Sequence, residues 1–151
     1  MATHKFEDMD RVLRQQATKV IVGTERAVAV AVSEGHRSVV DNTPVDRGTA
    51  RSNWLVSKDA PVEFSILPYA PGRKLGRSER ANYIAAIAQG KQVTAAFKIV
   101  KDVESVFITN NVDYIQDLND GSSKQNTRPI NFLERARTAM KAALRGVRIL
   151  R

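Results

Sequence analysis

The sequence predicts an α+β domain: a long N-terminal helix, a small antiparallel β-sheet, and a middle and a C-terminal helix packed on the sheet. Three observations lead there. Apolar residues recur at three- and four-residue steps from Phe6 to Ala31. Short runs with strand character stand at 54–57, 64–67 and 103–110. Two further helical stripes occupy 81–97 and 129–144.

The first helix is expected over residues 1–41, on a stripe of Phe6, Met9, Leu13, Ala17, Val20, Ala27 and Ala31 completed by the polar Thr24. Asp8 and Asp10 suit the positive end of its dipole. Gly23 and Gly35 each cost about 1 kcal/mol relative to Ala and mark expected bends or breaks. The alternating run at 27–32 fits a strand by itself, but its polar flanks assign it to the helix. Pro44 ends the element, because the residue before a proline is pushed out of the helical region.

Pro44, Asp46 and Gly48 then make a turn, with Thr49 to Asn53 as one short helical turn. Residues 54–57 and 64–67 read as two strands joined across 58–63, with Trp54 a core residue. Residues 68–101 read as a basic loop followed by a middle helix from Ala81 to about Phe97, with Gly90 inside it. Val103 to Asn110 is expected as a strand partly covered on both faces. Asp113 to Arg128 is polar, with Asp120-Gly121-Ser122-Ser123 a loop. The closing helix is expected from Pro129 to about Leu144, on Phe132, Leu133, Ala136, Ala139, Met140, Ala143 and Leu144. No internal repeat is evident, and 151 residues suit a single domain.

Composition narrows the function classes. The chain has no cysteine, which excludes disulfide scaffolds, Cys-ligated metal centres and thiol catalysis. Acids within the first ten residues and no apolar core there predict no signal peptide. The most apolar stretch, 28–32, is far short of the roughly 20 residues of a membrane span, so a soluble protein made in the cytoplasm is expected. The net charge of +8 is unevenly spread: −1 over 1–46, +7 over 47–101, −4 over 102–127 and +6 over 128–151. Alternating blocks suit head-to-tail contact between copies. They also suit a small DNA-binding protein, although the few aromatics do not interleave with the basic residues as a base-stacking platform requires.

Catalytic constellations are not expected. His4 and His36 read as solvent-exposed and too far apart to bind a metal together. The stretch from Asp117 superficially resembles a calcium loop, but Arg128 stands where the motif demands Glu. Gly72 to Arg77 is glycine-rich and basic without the Gly-Lys-Ser/Thr ending of a phosphate loop. Asp113, Asp117 and Asp120 approach one another if a helical turn forms, yet nothing supplies a nucleophile or an oriented base. No enzyme activity and no cofactor are expected.

Three segments, in order, resemble a tailed-phage structural family, the head–tail joining or tail-completion (neck) proteins. The first runs from Thr43 through Pro44-Val45-Asp46-Arg47-Gly48 to Trp54 and is similar to the family's turn into a strand. The second is Asn111-Val112-Asp113-Tyr114 with Asp120-Gly121-Ser122 after it. The third, Asn131-Phe132-Leu133-Glu134-Arg135-Ala136, is similar to the opening of the family's last helix. Asp120 stands for the usual Glu, Asn131 for the usual Pro and Arg135 for a second Pro, and residues 68–101 are longer than the family's middle.

The resemblance implies a non-enzymatic virion protein that forms a ring at the neck or tail end. Its partners would be further copies of itself, the connector or adaptor, and the tail tube or tail terminator. DNA in the lumen is a further, non-specific contact, and no membrane is implied. Candidate contact residues are Asp46, Arg47 and Arg51 on an exposed rim, Arg73, Lys74 and Arg77 in the basic loop, and Asp113, Tyr114, Asp117 and Asp120 in the acidic stretch. The alternative is a small basic DNA-binding protein or assembly factor.

Overall fold

The computed structural model describes residues 6–71, 77–97, 105–124 and 127–149. Its fold is α+β: a long N-terminal helix, a two-stranded antiparallel sheet and further helices, including a C-terminal one, packed against the sheet. In chain order these are α1 (Phe6–Asn42), α2 (Thr49–Ser52), β1 (Leu55–Lys58), α3 (Arg77–Ala95), β2 (Val106–Thr109), α4 (Ile115–Asp120) and α5 (Phe132–Gly146).

Helix α1 runs unbroken for 37 residues, about 55 Å at 1.5 Å per residue. No break occurs at Gly23 or Gly35. Both glycines instead admit α5 and the chain after it: a Cβ at 35 would meet the Met140 side chain, and one at 23 the Ile149 backbone. The two helices are therefore antiparallel, and Arg135 Nη1 donates to Asn42 Oδ1 at 2.9 Å near the far end. Thr43 Oγ1 donates back to the Val39 carbonyl, and the chain leaves the helix at Pro44.

Strands β1 and β2 pair antiparallel, with Leu55 opposite Thr109 and Lys58 opposite Val106. Phe64–Leu67 is not a strand, contrary to the sequence pattern. Asn53 occupies the place of a ladder partner there: its Oδ1 accepts from Ile66 N at 2.6 Å and its Nδ2 donates to Ile66 O at 2.8 Å. Phe64 and Leu67 consequently point outward, Leu67 at 86% exposure. The other edge of β1 is closed the same way, because the Gln89 amide of α3 exchanges two hydrogen bonds with the backbone of Val56. Side-chain amides thus finish the edge of a sheet that has two strands among the described residues.

The remaining boundaries differ modestly from expectation. Helix α3 starts at Arg77 rather than Ala81. The residues before β2 that the pattern placed in a strand, 103 and 104, lie outside the described residues. The acidic stretch expected as a loop contains α4. Helix α5 starts at Phe132 rather than Pro129, because Asn119 takes up the backbone before it. The Asn119 carbonyl accepts from Ile130 N at 2.8 Å and its Oδ1 from Phe132 N at 2.9 Å.

The core gathers Val39, Val40, Ala50, Trp54, Ala86, Leu118, Ile130, Phe132 and Ala136. Trp54 is a core residue, as its position in a strand-like run predicts. Its indole meets the Phe132 ring edge-on, centroids 5.1 Å apart, a favoured aromatic geometry. His36, expected at the surface, is buried among α1, α3 and β1. His4 lies outside the described residues. Only the second half of the α1 stripe is covered: Ala27 and Ala31 are buried, whereas Met9, Leu13 and Val20 are exposed. Among the described residues no helix is long and apolar enough to cross a membrane.

Candidate functional site

Two of the segments singled out in the sequence face each other across a surface hollow of about 570 Å³. One wall is the turn after α1, with Pro44, Asp46, Arg47 and Gly48; the other is α4 and its exit, with Tyr114, Asp117, Ser122 and Lys124. Gly48 shapes the first wall. Its φ of +80° is left-handed, a conformation that glycine adopts without strain. A Cβ there would also strike the amide of Asn82.

Asn82 is buried and holds this wall from behind. Its Oδ1 accepts from Ala70 N at 2.7 Å and Ser52 Oγ at 3.2 Å, and its Nδ2 donates to Ala70 O at 2.9 Å. The second wall is fixed by Leu118, whose buried side chain anchors α4 in the core, and by Ser122 N donating to the Asp117 carbonyl at 3.0 Å. The hollow therefore has a rigid floor and charged, exposed lips.

Its lips carry both signs. The Arg47 side chain is exposed and only loosely paired with Asp46, at 3.9 Å. Asp117 and Tyr114 are exposed opposite, and Lys124 adds a cation that sequence reasoning did not single out. Such a trough offers donors, acceptors and both charges to an incoming polypeptide segment.

Other candidates fall elsewhere. Arg51 is not on an exposed rim, which corrects the sequence reading. Its side chain is 11% exposed, donates through Nη2 to the Thr43 carbonyl at 3.0 Å, and stands 3.5 Å from Glu79. The same guanidinium lies over the Tyr83 ring, 5.9 Å from its centroid. Arg51 follows Gly48 by three residues in α2, so one helical turn points it inward under the end of α1. It ties the turn to α3.

Asp120 lies outside the hollow. Gln116 Nε2 donates to one of its oxygens at 2.8 Å and Asn119 Nδ2 to the other at 2.9 Å. Those bonds, Gln116 first, hold its carboxyl below the usual carboxylate range. Asp113 is exposed just before α4 and does not line the hollow. Arg73 and Lys74 lie outside the described residues, and Arg77 contributes its backbone as the first residue of α3.

The third segment joins the other two from below. Phe132 touches Trp54 of the first, and Asn119 beside the second binds the backbone of Ile130 and Phe132. Among the described residues no group of three or more His, Asp or Glu is placed to hold a metal ion. No protein-family model, no curated protein and no solved structure matches the chain.

Proposed function

We propose that the chain is a structural subunit of a tailed-phage neck or tail end, assembling head-to-tail into a closed ring between the head connector and the tail. One observation carries the reading. The three segments that resemble the neck family, widely spaced in sequence, form a single unit around Trp54, Asn119 and Phe132. The first two of them then bound one charged hollow. A hollow whose walls bear both signs, beside strongly basic and acidic blocks of chain, suits the heterologous contact from which closed rings arise.

In this reading Asp46, Arg47, Tyr114 and Asp117 meet a neighbouring copy. The ring's neighbours are a connector or adaptor on one side and a tail tube or terminator on the other. No chemistry is performed; the chain acts by position.

The test is quantitative mass spectrometry of purified virions, scaling this chain against the portal protein. A copy number of a single ring supports the proposal, and absence from the particle overturns it. The basic stripe Arg137, Lys141 and Arg145 along the exposed face of α5 favours DNA binding as the second reading. It requires affinity that falls linearly with log salt, with a slope near the number of phosphates touched. Negligible binding at low salt removes it.

A further inference from the structure

We infer that residues 64–69 form a pairing edge whose occupant is the same segment of a second copy, added antiparallel as a β-strand. The inference goes beyond the ring reading and does not depend on it, since none of these residues lines the hollow.

The edge follows from where the backbone of Ile66 points. Its N–H and its C=O are both taken by the amide of Asn53. In extended backbone a residue's N–H and C=O point to one side and those of its neighbours to the other. The chain runs without turn or bend from Ser65 to Pro68. The N–H and C=O of Ser65 and Leu67 therefore point away from Asn53, and both residues are exposed. None of these groups has a hydrogen-bond partner among the described residues. By the same alternation the nitrogen of Pro68 lies on the inner side, so its missing N–H takes nothing from the outer edge.

The segment is fixed in this shape before any partner arrives. Asn111 Nδ2 donates to the Phe64 carbonyl at 3.2 Å and Tyr69 N donates to Ser52 Oγ at 3.4 Å. Asn82 binds both backbone groups of Ala70. An edge already held extended loses little freedom on pairing. It also carries apolar groups for pairing to cover: Leu67 is 86% exposed, Phe64 63% and Tyr69 41%. An exposed apolar edge with unpaired backbone is a template for another strand.

Pattern and charge select a second copy as that strand. With Ser65 opposite the second copy's Leu67, and Ile66 opposite its counterpart, every free group of both edges finds a partner. Each Leu67 then lies diagonal to its counterpart, within side-chain reach. The net charge of +8 opposes self-association over most of the surface, but residues 64–71 carry no charge and do not repel their own copy. One patch meets itself, so the contact is isologous and closes at two. It is smaller than the roughly 1,600 Å² of a standard interface, so the pairing is transient.

The absence of cysteine makes cross-linking a clean test. Ser65→Cys and Leu67→Cys are made in separate chains, mixed and oxidised. In this register the two Cα atoms lie about 5.5 Å apart, inside the roughly 4.4–6.8 Å that disulfides span. The control mixes Leu67→Cys with Thr138→Cys, which is exposed on α5. The expected result is a several-fold higher yield of covalent heterodimer, resolved by mass, from the first mixture. A yield no higher than the control's overturns the inference.

Nuclear magnetic resonance reads the same contact without cysteines. The amide resonances of Ser65 and Leu67 are expected to move with rising protein concentration, and that of Ile66, already bonded to Asn53, to move less. Leu67→Lys places a charge on the edge and is expected to abolish the movement at an unchanged Tm. Resonances that ignore concentration overturn the pairing, while virion copy number independently decides the ring reading.

Discussion

His36 donates from Nε2 to the carbonyl oxygen of Trp54 at 2.8 Å, tying the C-terminal part of α1 to the residue that leads into β1. Because a carbonyl only accepts, Nε2 carries the proton. The Trp54 indole then donates to Thr43 Oγ1 at 2.7 Å, and Thr43 donates to Val39 at the end of α1. Helix, turn and strand are thereby closed into one buried polar circuit.

That circuit carries a pH dependence. Burial pushes the His36 imidazole below its ordinary value near 6.5, against the smaller opposing effect of the Trp54 bond. The unfolded chain therefore takes up a proton first as pH falls. His36's contribution is complete above about pH 6.5 and is lost progressively below it, by at most about 1.4 kcal/mol per pH unit. Thermal unfolding between pH 7.5 and 5.5 is expected to show a falling Tm in the wild type. His36→Gln is expected to start lower and to show a flatter pH profile over that interval, which lies above the carboxylate range. Equal slopes would remove His36 as the cause.

Gly90 faces the same ring. A Cβ at position 90 would overlap His36 Nδ1. Gly90→Ala gains about 1 kcal/mol of helix propensity but crowds a closed core site, which typically costs about 1–3 kcal/mol. The imidazole is wedged between helix and strand, so overpacking is expected to win. A lower urea midpoint in Gly90→Ala checks this; a higher midpoint would mean that the ring can yield.

How much of this was legible in the sequence follows from which interactions have a period. The helices did, as did the Thr43–Pro44 helix end and the core position of Trp54. His36 was misread because its burial depends on Gly90, distant in sequence, leaving room for it. The 64–67 run was misread because Asn53, thirteen residues before Ile66, satisfies that backbone in place of a strand. No periodicity announces an amide standing in for a ladder. Of the candidate site, Asp46, Arg47, Tyr114 and Asp117 come together as one surface, whereas Arg51 has the charge of a rim residue and the position of an internal strut.

The amide substitution is itself testable. Asn53→Ala removes bonds to both backbone groups of Ile66 and one to the Thr49 carbonyl. Leaving buried polar groups unpaired costs about 1–3 kcal/mol each where water cannot replace the bond. A loss of about 2–4 kcal/mol is expected, read as a shift in denaturant midpoint. Asn111→Ala, whose amide binds the Val62 and Phe64 carbonyls at the exposed surface, is the control. It is expected to cost less than about 1 kcal/mol, because water replaces its bonds. Equal losses would place the stabilisation elsewhere than in Asn53's burial.

The two acids of α4 separate a contact role from a merely acidic surface. Asp117 lines the hollow opposite Arg47, whereas Asp120 lies outside it with both oxygens engaged by Gln116 and Asn119. Both are exposed, so reversal of either is expected to leave folding stability close to that of the wild type. If the hollow receives a neighbouring copy, Asp117→Lys places a second cation opposite Arg47 and disturbs the fit of the incoming segment. Particle assembly is then expected to fall for Asp117→Lys and to persist for Asp120→Lys, with Tm values close to the wild type in both. A general electrostatic effect predicts equal losses, since the two reversals change net charge identically. Persistence of assembly in Asp117→Lys would remove this hollow as the site of contact between copies.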